Sequence, residues 1–226
     1  MTTVSRGDQR RMGLGAGVVG PLLFIVVFLI EGTIRPGYDP IRLQVSYLSL
    51  GEGGWLQVLT FLVSGALIIW FAASLRGELS TGPGAIAGPI LVGFVGVGLL
   101  IAGVFSTPPA FGYPPGTPDG FPSDLPASAY LHVTGALVAF GGLILAPVAM
   151  TRRFLRDGST GWATYSVLTA LVVLVFQLAE TTDASGRPMF TDLLGLVQRV
   201  ALCAGLVWQS AIAARYLRRQ ETVADA

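Results

Sequence analysis

Six stretches of about twenty apolar residues dominate the sequence and decide what it can fold into. Crossing ~30 Å of hydrocarbon takes roughly 20 residues of helix. The stretches cover 13–34, 55–75, 84–104, 130–150, 162–182 and 193–216. None alternates apolar and polar residues, so the pattern of a membrane barrel is missing. In lipid every backbone N–H and C=O has to be satisfied from within, and a helix does this within one segment. Composition agrees: 52% of residues are hydrophobic and 12% charged, against about 25% charged in soluble domains. The expected fold is an all-α integral membrane protein with six transmembrane helices in one bundle over 13–216. A basic tail over 1–12 precedes it and a tail over 217–226 follows.

Charge placement orients the bundle. All fourteen basic residues are arginines. Arg6, Arg10, Arg11, Arg76, Arg152, Arg153, Arg156, Arg215, Arg218 and Arg219 fall at one end, while Arg35, Arg42 and Arg187 lie in the opposite loops. The positive-inside rule then expects both termini in the cytoplasm of a multi-pass plasma (inner) membrane protein. The first stretch is too long for a signal-peptide core, and no A-x-A pattern follows it. Of the outer connections, 35–54 has Asp39 as a helix N-cap before Pro40, which predicts a short amphipathic helix at the interface. The proline-rich connection 106–128 is expected to be extended and stiff.

Three segments carry a family resemblance: YDPIRLQVSYLSLGEGGWLQ (38–57), GVFSTPPAFGYPPGTP (103–118) and GLVQRVALCAGLVW (195–208). They resemble the bacterial and archaeal membrane family catalogued as domain of unknown function 998. The matching positions are Ser46, Ser49, Gly51 and Trp55, then Phe105 and Pro109, then His132, then Gly195 and Arg199. The likeness runs from Gly13 to Arg219. Pro108 stands where that family often has aspartate, and Leu43 and Gln44 where it often has histidine. The resemblance implies a six-helix membrane fold and no particular activity.

Several function classes are excluded early. A net charge of +1 leaves no basic excess for nucleic acid. One cysteine and one histidine cannot build a Cys-rich zinc or iron–sulfur site, a three-histidine metal centre or a bis-histidine haem within one chain. No metal and no cofactor is therefore expected. Cys203 sits mid-helix among apolar residues, where a thiol is inert.

Ionisable groups inside membrane spans are costly and mark function by default. Glu31, His132, Glu180 and Arg199 meet that description, all near the ends away from the arginine cluster. Gln177 shares a helix face with Glu180, and Asp183 lies just beyond. Arg199 is expected to pair with Glu180 or Asp183, and Gly195 one turn earlier to admit a neighbouring helix. Tyr38, Asp39, Arg42 and Ser46 are the expected loop contributors. Such a set either forms an outward polar pocket or fixes helix register, since buried ion pairs do both. His132 reads more readily as a hydrogen-bonding residue than as a metal ligand. A Ser–His–acid site lacks the G-x-S-x-G elbow. Trp55, Trp162 and Trp208 read as interfacial anchors.

The functional expectation is a pocket for a lipid head group or small anionic ligand held by Arg199. The alternatives are a membrane enzyme acting on a lipid-like substrate, with His132 and Glu180 as acid–base groups, or a structural partner subunit; the balance points away from an enzyme. The bilayer is the expected partner. The small-residue pattern in Gly13-x-x-x-Gly17, Gly84-x-x-x-Gly88 and the third helix serves helix packing or a homo-oligomer equally well.

Overall fold

The computed structural model describes residues 5–179 and 191–224. Among them are six long helices: α1 (Arg6–Ile34), α2 (Gly54–Glu78), α3 (Ala87–Val104), α4 (Ala127–Arg156), α5 (Thr160–Ala179) and α6 (Leu194–Ala224). All six are long and apolar enough to cross a membrane. No strand occurs among the described residues. This is a multi-pass membrane protein with six transmembrane helices. Each helix packs on the next in sequence, and α6 returns to α1, so the bundle closes as an up-and-down ring. Residues near both termini line one basin, Gly7, Asp8 and Arg10 with Arg219 and Gln220. That side is called here the terminal end, and the opposite side the loop end.

Helix limits exceed the apolar stretches where capping or charge carries the helix onward. Ser5 and Asp8 form a capping box, with the Asp8 amide donating to Ser5 Oγ at 3.1 Å, so α1 begins at Arg6 rather than Gly13. Most of the expected N-terminal tail is therefore helical. α6 likewise runs on to Ala224.

Glycine sets the spacing around α3. A Cβ at Gly96 would lie 2.6 Å from the Gly65 carbonyl on α2, and one at Gly98 would lie 2.4 Å from the Gly135 carbonyl on α4. Only glycine lets three backbones approach this closely. Gly17 meets Phe71 and Ala213, and Gly88 meets Met150. These glycines are thus occupied inside the ring.

The loop end differs from both loop expectations. No amphipathic helix lies on the interface. Asp39 Oδ1 accepts from the Ile41 amide at 2.9 Å, but the turn it caps stops after Leu43. A 3-10 turn, Val45–Ser49, follows, and its Val45, Ser46, Tyr47 and Leu48 are buried. Apolar residues at both flanks pull the segment into the ring instead of leaving it flat on a surface. The proline-rich connection is folded, not extended. The Phe111 amide donates to Gly120 O at 2.9 Å and Gly112 to Pro118 O at 3.2 Å. Tyr113 is buried and packs edge-on to Tyr38, ring centres 5.4 Å apart. The aromatic residues between the prolines supply the apolar area that collapses the loop.

Candidate functional site

The residues singled out from sequence separate into three groups at the loop end. The first is a clamp around Arg199. Its side chain is buried. Nη1 donates to Pro40 O at 2.6 Å, Leu43 O at 2.9 Å and Gly195 O at 3.0 Å, and Nη2 donates to the Tyr38 hydroxyl. The guanidinium also lies 5.4 Å from the Tyr38 ring centre and 5.9 Å from that of Phe28. The planar fork lets Nη1 take the carbonyls while Nη2 takes the Tyr38 hydroxyl, a spread that one ammonium nitrogen does not offer. Burial pushes the Tyr38 hydroxyl up to about 12, with the Arg199 charge opposing the rise.

Gly195 does admit a close neighbour, but that neighbour is the first loop and not a helix. A Cβ there would stand 2.2 Å from Leu43 O and 2.5 Å from Pro40 O. The first amides of α6 are capped by the same loop: Gly195 N–H donates to Arg42 O at 3.2 Å and Leu196 N–H to Ile41 O at 2.9 Å. Asp39 shapes the turn that presents those carbonyls. The expected carboxylate partners, Glu180 and Asp183, lie outside the described residues.

The second group is a latch. Glu31 on α1 pairs with Arg35 one turn later, and Arg35 also donates to the carbonyls of Glu52 and Gly53, the latter at 3.0 Å. Glu31 Oε2 has no partner among the described residues. This pair joins the end of α1 to the start of α2 and stands apart from the clamp.

The third group is a cleft of about 240 Å³ between the 3-10 turn, the second loop and the start of α4, with Gln177 of α5 and Gln198 of α6 in its wall. It adjoins a smaller chamber of about 40 Å³ inside the ring. Ser46, His132, Ala136, Phe140 and Gln198 line both spaces. The chamber is otherwise walled by small or apolar residues, including Gly98, Leu99, Ala102 and Phe61. Among the described residues no arginine and no carboxylate lines either space.

His132 occupies the junction. Its Nδ1 lies 2.7 Å from Phe105 O and 3.1 Å from Ala102 O, at the end of α3 where carbonyls have lost their helical partners. Gln198 Oε1 accepts from the Val45 amide at 2.7 Å, tying the turn to α6. Gln177 Oε1 is buried without a partner among the described residues. Burial drives the Tyr47 hydroxyl up to about 12, against the pull of its hydrogen bond with Thr107.

Of the sequence-predicted set, then, His132, Gln177 and Ser46 meet in the cleft. Tyr38, Asp39, Arg42 and Arg199 form the clamp, with Arg42 contributing its backbone carbonyl. Sequence reasoning missed Gln198, Thr107 and Arg35. Gln198 did carry a signal, as a polar residue inside an apolar stretch beside Arg199. Trp208 is no interfacial anchor: it is buried and donates from Nε1 to Ser166 Oγ at 2.9 Å, whereas Trp55 is 68% exposed.

A family profile described as "Protein of unknown function (DUF998)" matches residues 18–215. The chain belongs to the DUF998 family. The match spans α2 to α5, most of α1 and α6, both folded loops and the cleft, so in this DUF998 protein the clamp and the cleft lie within the family domain. No curated protein and no solved structure matches the chain.

Proposed function

We propose that this DUF998 protein binds a lipid-like amphiphile in the cleft, polar end among Ser46, Gln177 and Gln198 and apolar chain along the wall of Ala136, Leu137 and Phe140. The observation that carries the reading is the lining itself: an apolar cavity with a few convergent polar groups, which is the usual make-up of a small-molecule site. The arginine asymmetry of the sequence supports a loop end that faces away from the cytoplasm, with the cleft opening outward. A buried charge without a counter-charge is costly, and the described lining of neither space offers one, which favours an uncharged head over an anion. Arg199 serves this site as a positioning residue. By holding 40–43 against α6 it sets the 3-10 turn that forms one wall.

Native mass spectrometry of protein extracted with its lipids tests the reading. The wild type is expected to retain a neutral lipid that Ala136→Phe, which fills the space at the junction, releases while the melting temperature holds. Equal retention by a folded Ala136→Phe protein refutes it, as does a wild type that retains only charged lipids.

A structural reading of the clamp and latch stands beside it, favoured by their hydrogen bonds to loop carbonyls in place of an open cavity. It is compatible with ligand binding in the cleft, because the two use different residues.

A further inference from the structure

We infer that the ligand of this cleft carries a hydroxyl group that donates a hydrogen bond to His132 Nε2. The inference rests on the cleft reading and narrows it to a chemical class, the membrane-soluble alcohols. Both groups facing His132 Nδ1 are backbone carbonyls, Ala102 O and Phe105 O. A carbonyl only accepts, so Nδ1 holds the proton, and the neutral ring then carries its lone pair on Nε2. The ring edge tied to α3 is thus the donor edge, and what His132 offers elsewhere is an acceptor. It lines both the cleft and the chamber.

The other polar groups sharpen the requirement. Gln177 Oε1 is a second acceptor without a partner among the described residues. Gln198 has its oxygen occupied by the Val45 amide, which leaves the amide hydrogens as what it offers a ligand. The lining therefore presents acceptors at His132 and Gln177 and donors at Gln198 and Ser46. A hydroxyl, donor and acceptor on one atom, satisfies both kinds. An ammonium would donate too, but among the described residues no carboxylate lines the space to balance its charge. A fatty acid anion would face the Nε2 lone pair with no donor of its own. An ether or ester of the same chain leaves that acceptor dry and unpaired, a loss worth about tenfold or more in affinity.

The chain has a single histidine, so labelling histidine with ¹⁵N reports this ring alone. The experiment uses the full-length protein in nanodiscs, titrated with decan-1-ol and, separately, with decyl methyl ether. The ring is expected in the Nδ1–H tautomer before any ligand is added. Decanol is expected to bind at least about tenfold more tightly than the ether, with Nε2 hydrogen-bonded in the alcohol complex and released in the ether complex. A ring protonated on Nε2 overturns the inference. So do equal affinities with His132 resonances responding to both probes, an outcome that leaves the cleft reading standing. If neither probe moves the His132 signals or competes with retained lipid, the cleft reading and the inference fall together.

Discussion

Arg199→Met removes the fork that joins the first loop to α6 while keeping an unbranched apolar stem against Phe28 and Tyr38. Three of its contacts cross to the loop: Pro40 O, Leu43 O and the Tyr38 hydroxyl. Hydrogen bonds from a charged donor contribute roughly 1.5–3 kcal/mol each, so the gross loss is about 4.5–9 kcal/mol. Relieving the buried charge returns several kcal/mol of desolvation. Pro40 O is then left without its partner at a cost of about 1–3 kcal/mol, whereas Leu43 O keeps the bond from the Tyr38 hydroxyl at 2.9 Å. A net destabilisation of about 2–8 kcal/mol follows, a large part of the 5–15 kcal/mol typical of folded proteins. Denaturant or thermal unfolding in detergent measures the total. Hydrogen exchange locates it: the Gly195, Leu196 and Val45 amides, held by Arg42 O, Ile41 O and Gln198 Oε1 in that order, should exchange first. Arg199→Lys should recover only part, since one ammonium cannot span the same acceptors. If the Met variant stays within about 0.5 kcal/mol of wild type with those three amides still protected, the clamp is not what holds the loop.

Three further outcomes follow from the geometry. Arg35→Leu strands the buried Glu31 carboxylate and should cost about 3–5 kcal/mol, most of it recovered in the Glu31→Gln/Arg35→Leu double variant; a double-mutant cycle measures the coupling. Gly98→Ala drives a methyl into the Gly135 carbonyl and should cost about 1–3 kcal/mol, whereas Gly141→Ala, with nothing within 4 Å, should be neutral or stabilising by up to about 1 kcal/mol in the same melting assay. Tyr38 and Tyr47 lose protons near 12 in the folded protein and near 10.0 when unfolded. The folded state therefore holds their protons longer. That stabilisation is complete below 10 and is lost as pH climbs toward 12, so unfolding midpoints should fall across that window. Ultraviolet titration should show these two phenols ionising last.

The loop-end site was legible in kind and not in arrangement. Polar residues inside apolar stretches stood out because lipid makes them expensive, and that cost picked Glu31, Arg199, His132 and Gln177. Which of them meet was another matter. Helical periodicity says which residues share a face on one helix, yet Arg199 finds its partners in a loop more than 150 residues earlier, with a separation of 156 to Leu43. Backbone carbonyls have no letter in the sequence, so the bonds of Arg199 to Pro40 O and Leu43 O had no signal there. The same blindness hid the Gln198–Val45 bond, whose acceptor is a side chain and whose donor is an amide common to every residue but proline.

The two loops missed for a related reason. Proline and Asp–Pro signals report local backbone preference, and locally they were right, since Asp39 does cap a turn. What folded the segments was the apolar area of Tyr38, Leu48, Tyr113 and their neighbours closing the loop end, a cooperative gain that no short window contains.

Sequence by itself determined the number of helices, their lengths to within a few turns and the membrane class, because the bilayer imposes length and backbone satisfaction on each segment independently of the rest. Only the tertiary structure decided that α6 closes the ring on α1, that glycines draw α2, α3 and α4 together, and that Arg199 clamps a loop while His132 ties its Nδ1 to the end of α3 beside the cleft. Those outcomes depend on pairs of residues far apart in the chain, and on backbone atoms that become partners only once the helices are packed.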